Sequence, residues 1–98
     1  MRIVAKRTLT DYAEKHPDAT MALVGWYEKT LHAEWHSFAD IRNTFATVSQ
    51  VGNRRYVFNI KGNDYRLVVL ILMTPQTVYI RFVGTHEEYD KINDIQNI

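Results

Sequence analysis

Three strand-like segments in the second half of the chain, joined by two short turns, constrain the fold more than any other feature. Residues 54–60, 64–73 and 77–83 are rich in Tyr, Val, Ile and Phe, which favour β-structure. Gly62 in the first connection and Pro75 in the second are typical turn residues. Because connections this short join antiparallel neighbours, the pattern predicts a three-stranded antiparallel meander.

The first half of the chain is predicted to be mainly helical, after a short strand over residues 2–6. Thr8 is expected to cap a helix that ends near Lys15, and a second helix is expected to begin at Pro17. Apolar positions in this second helix recur every three or four residues, which places them on one face of a helix ending near His36. These positions are Leu23, Val24, Tyr27, Leu31 and Trp35.

Weaker signals follow the long helix and close the chain. Asp40 is expected to cap a short helix that reaches Phe45, before a turn over residues 51–53. Residues 86–95 are compatible with one or two helical turns or with a frayed end. The predicted fold class is α+β, a single domain over residues 1–98. Its N-terminal strand and helices pack on one face of a twisted, mainly antiparallel sheet that ends in the meander.

Chain length and composition exclude several classes of protein. Ninety-eight residues suffice for one core and not for two. The absence of cysteine excludes a disulfide framework and a thiolate metal site, and makes the cytoplasm the expected compartment. The longest apolar run, residues 67–73, is far shorter than the ~20 residues of a membrane span. We therefore expect neither export nor membrane insertion.

Period-two alternation divides the side chains of the meander between two faces of the sheet. The face expected to pack in the core carries Tyr56, Phe58, Ile60, Val78, Ile80 and Phe82. The opposite face is expected to be more open to solvent. It is predicted to carry Arg55, Val57, Asn59, Lys61, Arg66, Tyr79, Arg81 and Val83.

Charge is distributed unevenly along the chain, although its net value is only +1. Acidic and basic residues balance over residues 1–50, residues 51–83 carry +4, and residues 84–98 carry −3. Guanidinium groups match phosphate oxygens and tyrosine rings stack on bases, so a basic sheet face suits a phosphodiester chain. Taken alone, the pattern is explained at least as well by a charged face that contacts only water.

Two segments of the chain closely resemble the HigB-type toxins of bacterial type II toxin–antitoxin systems, within the RelE-like superfamily of ribosome-dependent mRNA endonucleases. They are YVFNIKGNDYRLVV over residues 56–69 and YIRFVGTHEEYDKI over residues 79–92. The resemblance implies a small RelE-like domain whose sheet faces RNA. It also implies an mRNA interferase that cleaves translated mRNA at the ribosome without metal or cofactor. A HigA-type helix-turn-helix antitoxin would neutralise it, and operator DNA would be bound only through their complex.

The same resemblance implies roles for individual residues. Arg66 occupies the position of an arginine that contacts the scissile phosphate, and His86 that of a catalytic arginine or histidine. Histidine exchanges protons near neutral pH, so His86 is the expected general acid or base. Asn59 replaces a lysine of RelE, which makes a lysine-based mechanism less favoured. The expected catalytic residues are His86, Arg66, Arg81, Tyr89 and Lys61, and the expected RNA contacts are Arg54, Arg55, Asn59 and Tyr79.

Several of these assignments have alternatives. Arg81 is also compatible with a cross-strand ion pair, and Tyr89 with a purely structural contact to the sheet. His32 and His36 are four residues apart but have no evident third ligand, so no metal site is predicted. The alternative function is that of a non-nuclease toxin or binding module of the same fold, such as a gyrase inhibitor. The low net charge predicts weak binding of free RNA, which leaves substrate positioning to the ribosome.

Overall fold

The computed structural model describes residues 1–98 as an α+β fold around one five-stranded sheet, which confirms the predicted fold class. The strands are β1 (Arg2–Val4), β2 (Ser49–Gly52), β3 (Arg55–Ile60), β4 (Tyr65–Leu72) and β5 (Thr77–Thr85). The α-helices are α1 (Lys6–Lys15), α2 (Thr20–Leu31), α3 (Phe38–Thr44) and α4 (His86–Asp90). Two single 3-10 turns lie at Pro17–Ala19 and Ile95–Asn97.

The sheet has the strand order β1-β5-β4-β3-β2. Strands β3, β4 and β5 form the predicted antiparallel meander, with β2 antiparallel to β3 at one edge. Strand β1 is parallel to β5 at the other edge. Except at Arg66, the central strand β4 is apolar on both faces because both are largely covered, and Leu67, Val68 and Val69 are fully buried within it.

The helices cover one face of the sheet and form the main core with it. This core contains 16 buried residues and includes the predicted positions Tyr56, Phe58, Ile60, Val78 and Ile80. Aromatic rings join the layers: the centroid of the Phe58 ring lies 5.4 Å from Trp26 of α2 and 5.1 Å from Phe45 after α3. None of the helices combines the length and the apolar character that a membrane span requires.

Helix α2 is shorter than predicted and presents a different face to the core. It ends at Leu31 and not near His36. Its buried side chains are Leu23, Trp26 and Thr30, whereas Val24 is 53% exposed. The buried positions have the same spacing as the predicted ones but are shifted by one residue along α2. The face that contains Trp26 is the buried one, because burying an indole removes more apolar surface from water. Trp35 is buried, but it lies after the helix, where its Nε1 donates to Thr44 Oγ1 over 3.0 Å.

The helix starts also differ from those predicted. Helix α1 ends at Lys15 as expected, but it begins at Lys6, before the predicted cap at Thr8. Helix α3 is capped by Ser37, whose Oγ accepts a hydrogen bond from the Asp40 nitrogen over 3.2 Å. Asp40 therefore lies in the first turn and is not the cap, and its Oδ2 accepts from the His36 nitrogen over 2.8 Å.

Strand β2 was not predicted, because its four residues show no alternation of apolar and polar side chains. It is an edge strand whose Ser49 and Gln50 are exposed and pair with Val57 and Tyr56 of β3. Pairing with the neighbouring strand creates β2, and such a non-local effect leaves little trace in the local sequence. The register shifts before Gly52, which has a φ of +100°.

A bulge in β5 reverses the predicted facing of its last residues. Val69 pairs with Ile80 and Val68 with Phe82, so Arg81 is the extra residue without a partner on β4. Beyond it, Phe82 lies on the face away from the helices and Val83 packs against the core. The assignment of Phe82 to the core and Val83 to the opposite face is therefore wrong, since period-two alternation fails across an inserted residue.

The face opposite the helices is only partly open, because residues 91–98, here called the C-terminal segment, return along part of it. Asn53 Nδ2 donates to the Gln96 carbonyl over 2.9 Å, and Arg55 Nη2 to the Ile98 carbonyl over 2.8 Å. Val57 and Val68 are buried on this face, outside the main core. The predicted solvent-open face is thus partly covered, and the chain end is docked and not frayed.

Candidate active site

Three strands place Asn59, Arg66 and Gly84 in a row on the face away from the helices. Asn59 of β3 pairs with Arg66 of β4, and Arg66 pairs with Gly84 of β5. Paired Cα atoms in antiparallel strands lie about 5 Å apart, so the row spans about 10 Å. Arg66 occupies its centre, with an amide side chain on one side and a residue without a side chain on the other.

The guanidinium group of Arg66 is held by neutral oxygens only. Its Nη1 donates over 3.2 Å to the carbonyls of Asn63 and Tyr65, and its Nη2 donates to Asn63 Oδ1. Arg66 is only 9% exposed and forms no ion pair. A charge removed from water without a counter-ion is costly, so this position attracts an anion.

His86 lies beside this row because α4 begins directly after β5, with no connecting loop. The main-chain nitrogen of His86 donates to the Asp64 carbonyl over 3.0 Å, which ties the helix start to β4. The imidazole Nδ1 lies 2.9 Å from Oδ2 of Asp90, and the side chain is 42% exposed. The other ring nitrogen, Nε2, has no hydrogen bond or ion pair with another residue. It is therefore free to exchange a proton with a ligand.

Helix α4 is fixed by a capping box that the sequence analysis did not identify. Thr85 Oγ1 accepts from the Glu88 nitrogen over 3.1 Å, and Glu88 Oε1 accepts from the Thr85 nitrogen over 2.8 Å. The hydroxyl of Tyr12 also donates to Glu88 Oε1, over 3.4 Å. The Thr85 backbone hydrogen bond lowers the pKa of Glu88, while burial and Glu88 raise the pKa of Tyr12 to about 12. Glu88 is therefore a structural group that holds the first turn of α4.

Tyr89 lies three residues after His86 in α4, which places both side chains on the same side of the helix. Its ring is half-buried, and its hydroxyl makes no hydrogen bond within the protein. A half-buried ring with a free hydroxyl is suited to stacking and to donating a hydrogen bond to a ligand.

Lys61 lies on the helix side of the sheet, not on the face where it was expected. It occupies the β3–β4 turn with a φ of 53°, and its Nζ lies 3.0 Å from Oδ2 of Asp18. The same oxygen accepts from the Tyr65 hydroxyl over 2.7 Å. The Tyr65 hydrogen bond lowers the pKa of Asp18, and Asp18 in turn raises the pKa of Tyr65 to about 12. The left-handed turn ended the strand alternation before Lys61.

Arg55 and Arg81 form a second basic group further along the same face. Arg55 Nη2 and Arg81 Nε both donate to the carbonyl oxygen of Ile98, over 2.8 and 3.0 Å. Arg81 does not take part in a cross-strand ion pair, which was the alternative interpretation. Arg54 is exposed in the β2–β3 turn with a φ of 62°, and Tyr79 is half-buried between β1 and β4. The structure therefore separates Arg81 from the row around Arg66.

Two residues of the site were missed by the sequence analysis. Asn63 holds Arg66 through its side chain and its carbonyl, but a turn asparagine gives no signal beyond the turn itself. Asp90 contacts His86, and its spacing of four residues in a segment compatible with helix was a usable signal.

The two histidines of the helical half do not converge on a metal position. His32 Nε2 lies 3.7 Å from Glu28, and His36 Nε2 lies 3.8 Å from Glu34. No three His, Asp or Glu side chains are arranged to hold one ion.

The chain is similar to proteins whose activity has a name. Residues 19–92 match the sequence model of the HigB toxin family, the RelE-like toxic component of a toxin–antitoxin system. The chain is 30% identical over 92 residues to the mRNA interferase toxin HigB of Escherichia coli, covering 92% of this chain and 88% of that protein. The mRNA interferase HigB of Shigella flexneri gives the same values. That of a second Escherichia coli strain is 24% identical over 94 residues, covering 94% and 91% of the two chains.

Proposed function

This chain belongs to the HigB toxin family, and from that premise we propose that it is an mRNA interferase, an endoribonuclease that cuts translated mRNA and so inhibits protein synthesis. The relatives that are named mRNA interferases align with nearly the whole of this chain. The active unit is a single domain, and the reaction uses side chains of the face away from the helices.

The observation that carries the proposal is the state of Arg66. Its guanidinium group is nearly buried, has no carboxylate partner and lies in the row with Asn59 and Gly84. A phosphate of the RNA backbone supplies the missing negative charge, and its oxygens accept from the guanidinium fork. The scissile phosphate then lies beside His86, at the junction of β5 and α4.

Cleavage of the RNA by its own 2′-hydroxyl group gives both Arg66 and His86 a role in the reaction. The 2′-oxygen attacks the adjacent phosphorus, the bond to the 5′-oxygen breaks, and the products are a cyclic phosphate and a 5′-hydroxyl. One proton leaves the 2′-hydroxyl and one is delivered to the 5′-oxygen, and His86 exchanges one of them. Proton transfer by a positioned side chain is worth about 10²–10⁴ in rate, and Arg66 stabilises the added negative charge on the phosphate.

The remaining basic and aromatic residues bind the rest of the RNA. Arg55 and Arg81 contact the backbone along the same face, Tyr89 stacks on a base, and Arg54 and Tyr79 extend the contact outward. Lys61 is paired with Asp18, so its part is limited to attracting the backbone from the helix side. Asn59 is a neutral hydrogen-bonding partner next to the scissile phosphate.

The ribosome and an antitoxin complete the proposed system. A net charge of +1 provides little non-specific affinity for free RNA, so ribosome-bound mRNA is the substrate. The family description names a toxin–antitoxin system, which supports neutralisation by an antitoxin. We assign this role to a HigA-type helix-turn-helix protein, through which the complex would bind operator DNA.

A primer-extension map of a translated message tests the function. Induced wild-type protein should produce cuts inside translated codons, and His86→Ala should lose at least about 10² of the cleavage rate. Glu28→Gln is the control, because it removes an exposed carboxylate beside His32 on α2 and should leave the cuts unchanged. Undiminished cleavage by His86→Ala would remove His86 from the mechanism. Growth arrest with intact mRNA and broken DNA would favour the gyrase-directed alternative.

A further inference from the structure

We propose that Asp90 is the positioning residue of His86, and that its carboxylate selects the imidazole tautomer that accepts the 2′-hydroxyl proton of the RNA. The inference rests on the proposed function and extends it to a residue with no expected role. It also assigns His86 as the base of the attack step.

The distance between the two side chains separates this pair from the other histidine–carboxylate pairs of the chain. His86 Nδ1 lies 2.9 Å from Asp90 Oδ2, which is a hydrogen-bond distance. The corresponding pairs of His32 with Glu28 and of His36 with Glu34 are separated by 3.7 and 3.8 Å. Those two are loose surface contacts, whereas the Asp90 oxygen lies within hydrogen-bond distance of the imidazole.

The helix that carries both residues is held at its start. The capping box of Thr85 and Glu88 closes its first turn, Tyr12 joins it to α1, and the His86 nitrogen is bound to the Asp64 carbonyl. His86 and Asp90 therefore face each other from a fixed backbone, although the helix has only five residues.

Stability does not explain Asp90. Its side chain is 57% exposed, and ion pairs this exposed contribute at most about 1 kcal/mol. It is the last residue of α4, where the helix dipole disfavours a negative charge. A carboxylate placed against the dipole and in contact with one imidazole nitrogen is better explained by the chemistry of that imidazole.

The proposed chemistry follows from which imidazole nitrogen of His86 faces the Asp90 carboxylate. A carboxylate accepts a hydrogen bond but does not donate one, so Nδ1 carries the hydrogen and Nε2 has the free lone pair. Nε2 has no partner in the protein and takes the proton from the 2′-hydroxyl. The 2′-oxygen then forms its bond to phosphorus, the bond to the 5′-oxygen breaks, and a water molecule protonates that leaving oxygen. The resulting imidazolium is stabilised by the Asp90 carboxylate. The hydroxide left behind by the water is neutralised by the proton that His86 took up and later releases.

The test compares Asp90→Asn with wild type in cleavage of mRNA on programmed ribosomes, under conditions that give kcat and KM separately. An amide can donate to Nδ1 and so favour the wrong tautomer, and loss of such a partner costs about 10-fold to 100-fold in activity. We expect that decrease in kcat, with KM unchanged within about twofold. Asp90→Glu should recover part of kcat, and Glu28→Gln should match wild type.

A spectroscopic measurement reports on the tautomer independently of activity. Long-range ¹H–¹⁵N correlation spectra above the titration range of histidine should show the proton of His86 on Nδ1 in wild type, and a larger share on Nε2 in Asp90→Asn. If His86→Ala is inactive but Asp90→Asn keeps the wild-type kcat, the inference about Asp90 is overturned. An unchanged His86 tautomer in Asp90→Asn would overturn it as well. Full cleavage by His86→Ala would instead overturn the proposed role of His86 itself.

Discussion

Arg55 and Arg81 converge on one atom, the carbonyl oxygen of Ile98, which accepts from Arg55 Nη2 over 2.8 Å and from Arg81 Nε over 3.0 Å. Two guanidinium groups that share one oxygen are arranged as they would be around a phosphate oxygen. The C-terminal segment therefore occupies, within the protein itself, a position suited to the RNA backbone.

Removal of residues 94–98 should release both arginines. We expect an RNA oligonucleotide to bind severalfold more tightly, because Arg55 and Arg81 are then free, as measured by fluorescence anisotropy at fixed salt concentration. The free energy of unfolding should fall by about 1–3 kcal/mol, since the two hydrogen bonds to the Ile98 oxygen are lost and each contributes about 0.5–1.5 kcal/mol. Arg55→Ala in the shortened chain is the control and should cancel the gain in affinity. An unchanged affinity would show that these arginines do not contact RNA.

Replacement of Arg66 by Met should separate activity from stability. The nearly buried guanidinium has no counter-ion, so an apolar side chain of similar length should leave the free energy of unfolding unchanged or raise it by about 1 kcal/mol. The cleavage rate should fall about 10²-fold or more, since the group that stabilises phosphate charge is lost. Urea denaturation and ribosome-dependent cleavage measure the two effects. A large loss of stability with normal cleavage would contradict both expectations.

Gly84 is predicted not to tolerate a side chain. A Cβ atom at this position would lie 2.5 Å from Cζ of Phe82 and 3.0 Å from Oε1 of Glu88. Gly84→Ala should therefore cost about 1–3 kcal/mol of the free energy of unfolding, as overpacking typically does. Phe82→Leu removes the ring atoms involved and should restore part of the loss in a double-mutant cycle. Simple additivity of the two changes would show that the ring does not cause the strain.

Stability should decrease at acidic pH through Asp18. The hydrogen bond from Tyr65, followed by that from Lys61, lowers the folded-state pKa of Asp18 below its ordinary value of 3.8. Its contribution is therefore present above pH 3.8 and is lost as the pH falls through the lower folded-state pKa. Asp18→Asn should flatten this part of the curve of stability against pH, as followed by urea denaturation at successive pH values. A curve identical to that of wild type would rule out this linkage.

Three of the six tyrosines have a raised pKa. Burial raises the pKa of Tyr56, and two others should titrate latest on the alkaline side. Tyr12 and Tyr65 have pKa values raised from 10.0 to about 12, the first mainly by burial and the second by its hydrogen bond to Asp18. Because these pKa values are raised in the folded state, their contribution to stability is present below pH 10 and is lost as the pH rises through about 12. Tyrosinate absorbance should show this late phase, and Tyr65→Phe should reduce its amplitude.

Features set by local pattern were predictable from the sequence, and features set by pairing between distant segments were not. The meander and the core positions Phe58 and Val78 follow from alternation along uninterrupted strands. The bulge at Arg81 could not be predicted, because the strand composition gives no sign of it although it reverses the face on which Phe82 lies. The edge strand β2 depends on β3 for its existence.

The residues of the candidate site also fall into those that the sequence indicated and those that depend on the folded structure. Arg66 and His86 were proposed as site residues through the resemblance of their surrounding motifs. The placement of Lys61 was wrong because a left-handed turn directs it to Asp18, and that conformation is not encoded by alternation. Asn63 was missed because its role depends on where the Arg66 side chain folds.

The direct passage from β5 to α4 also limits how this protein can change in length. Each residue of an α-helix turns the chain by about 100°, so one residue added between Thr85 and His86 would redirect the imidazole and break the capping box. A deletion there would do the same. Insertions and deletions that accumulate during evolution should therefore be absent from this junction and concentrated in connections such as the irregular one between α2 and α3.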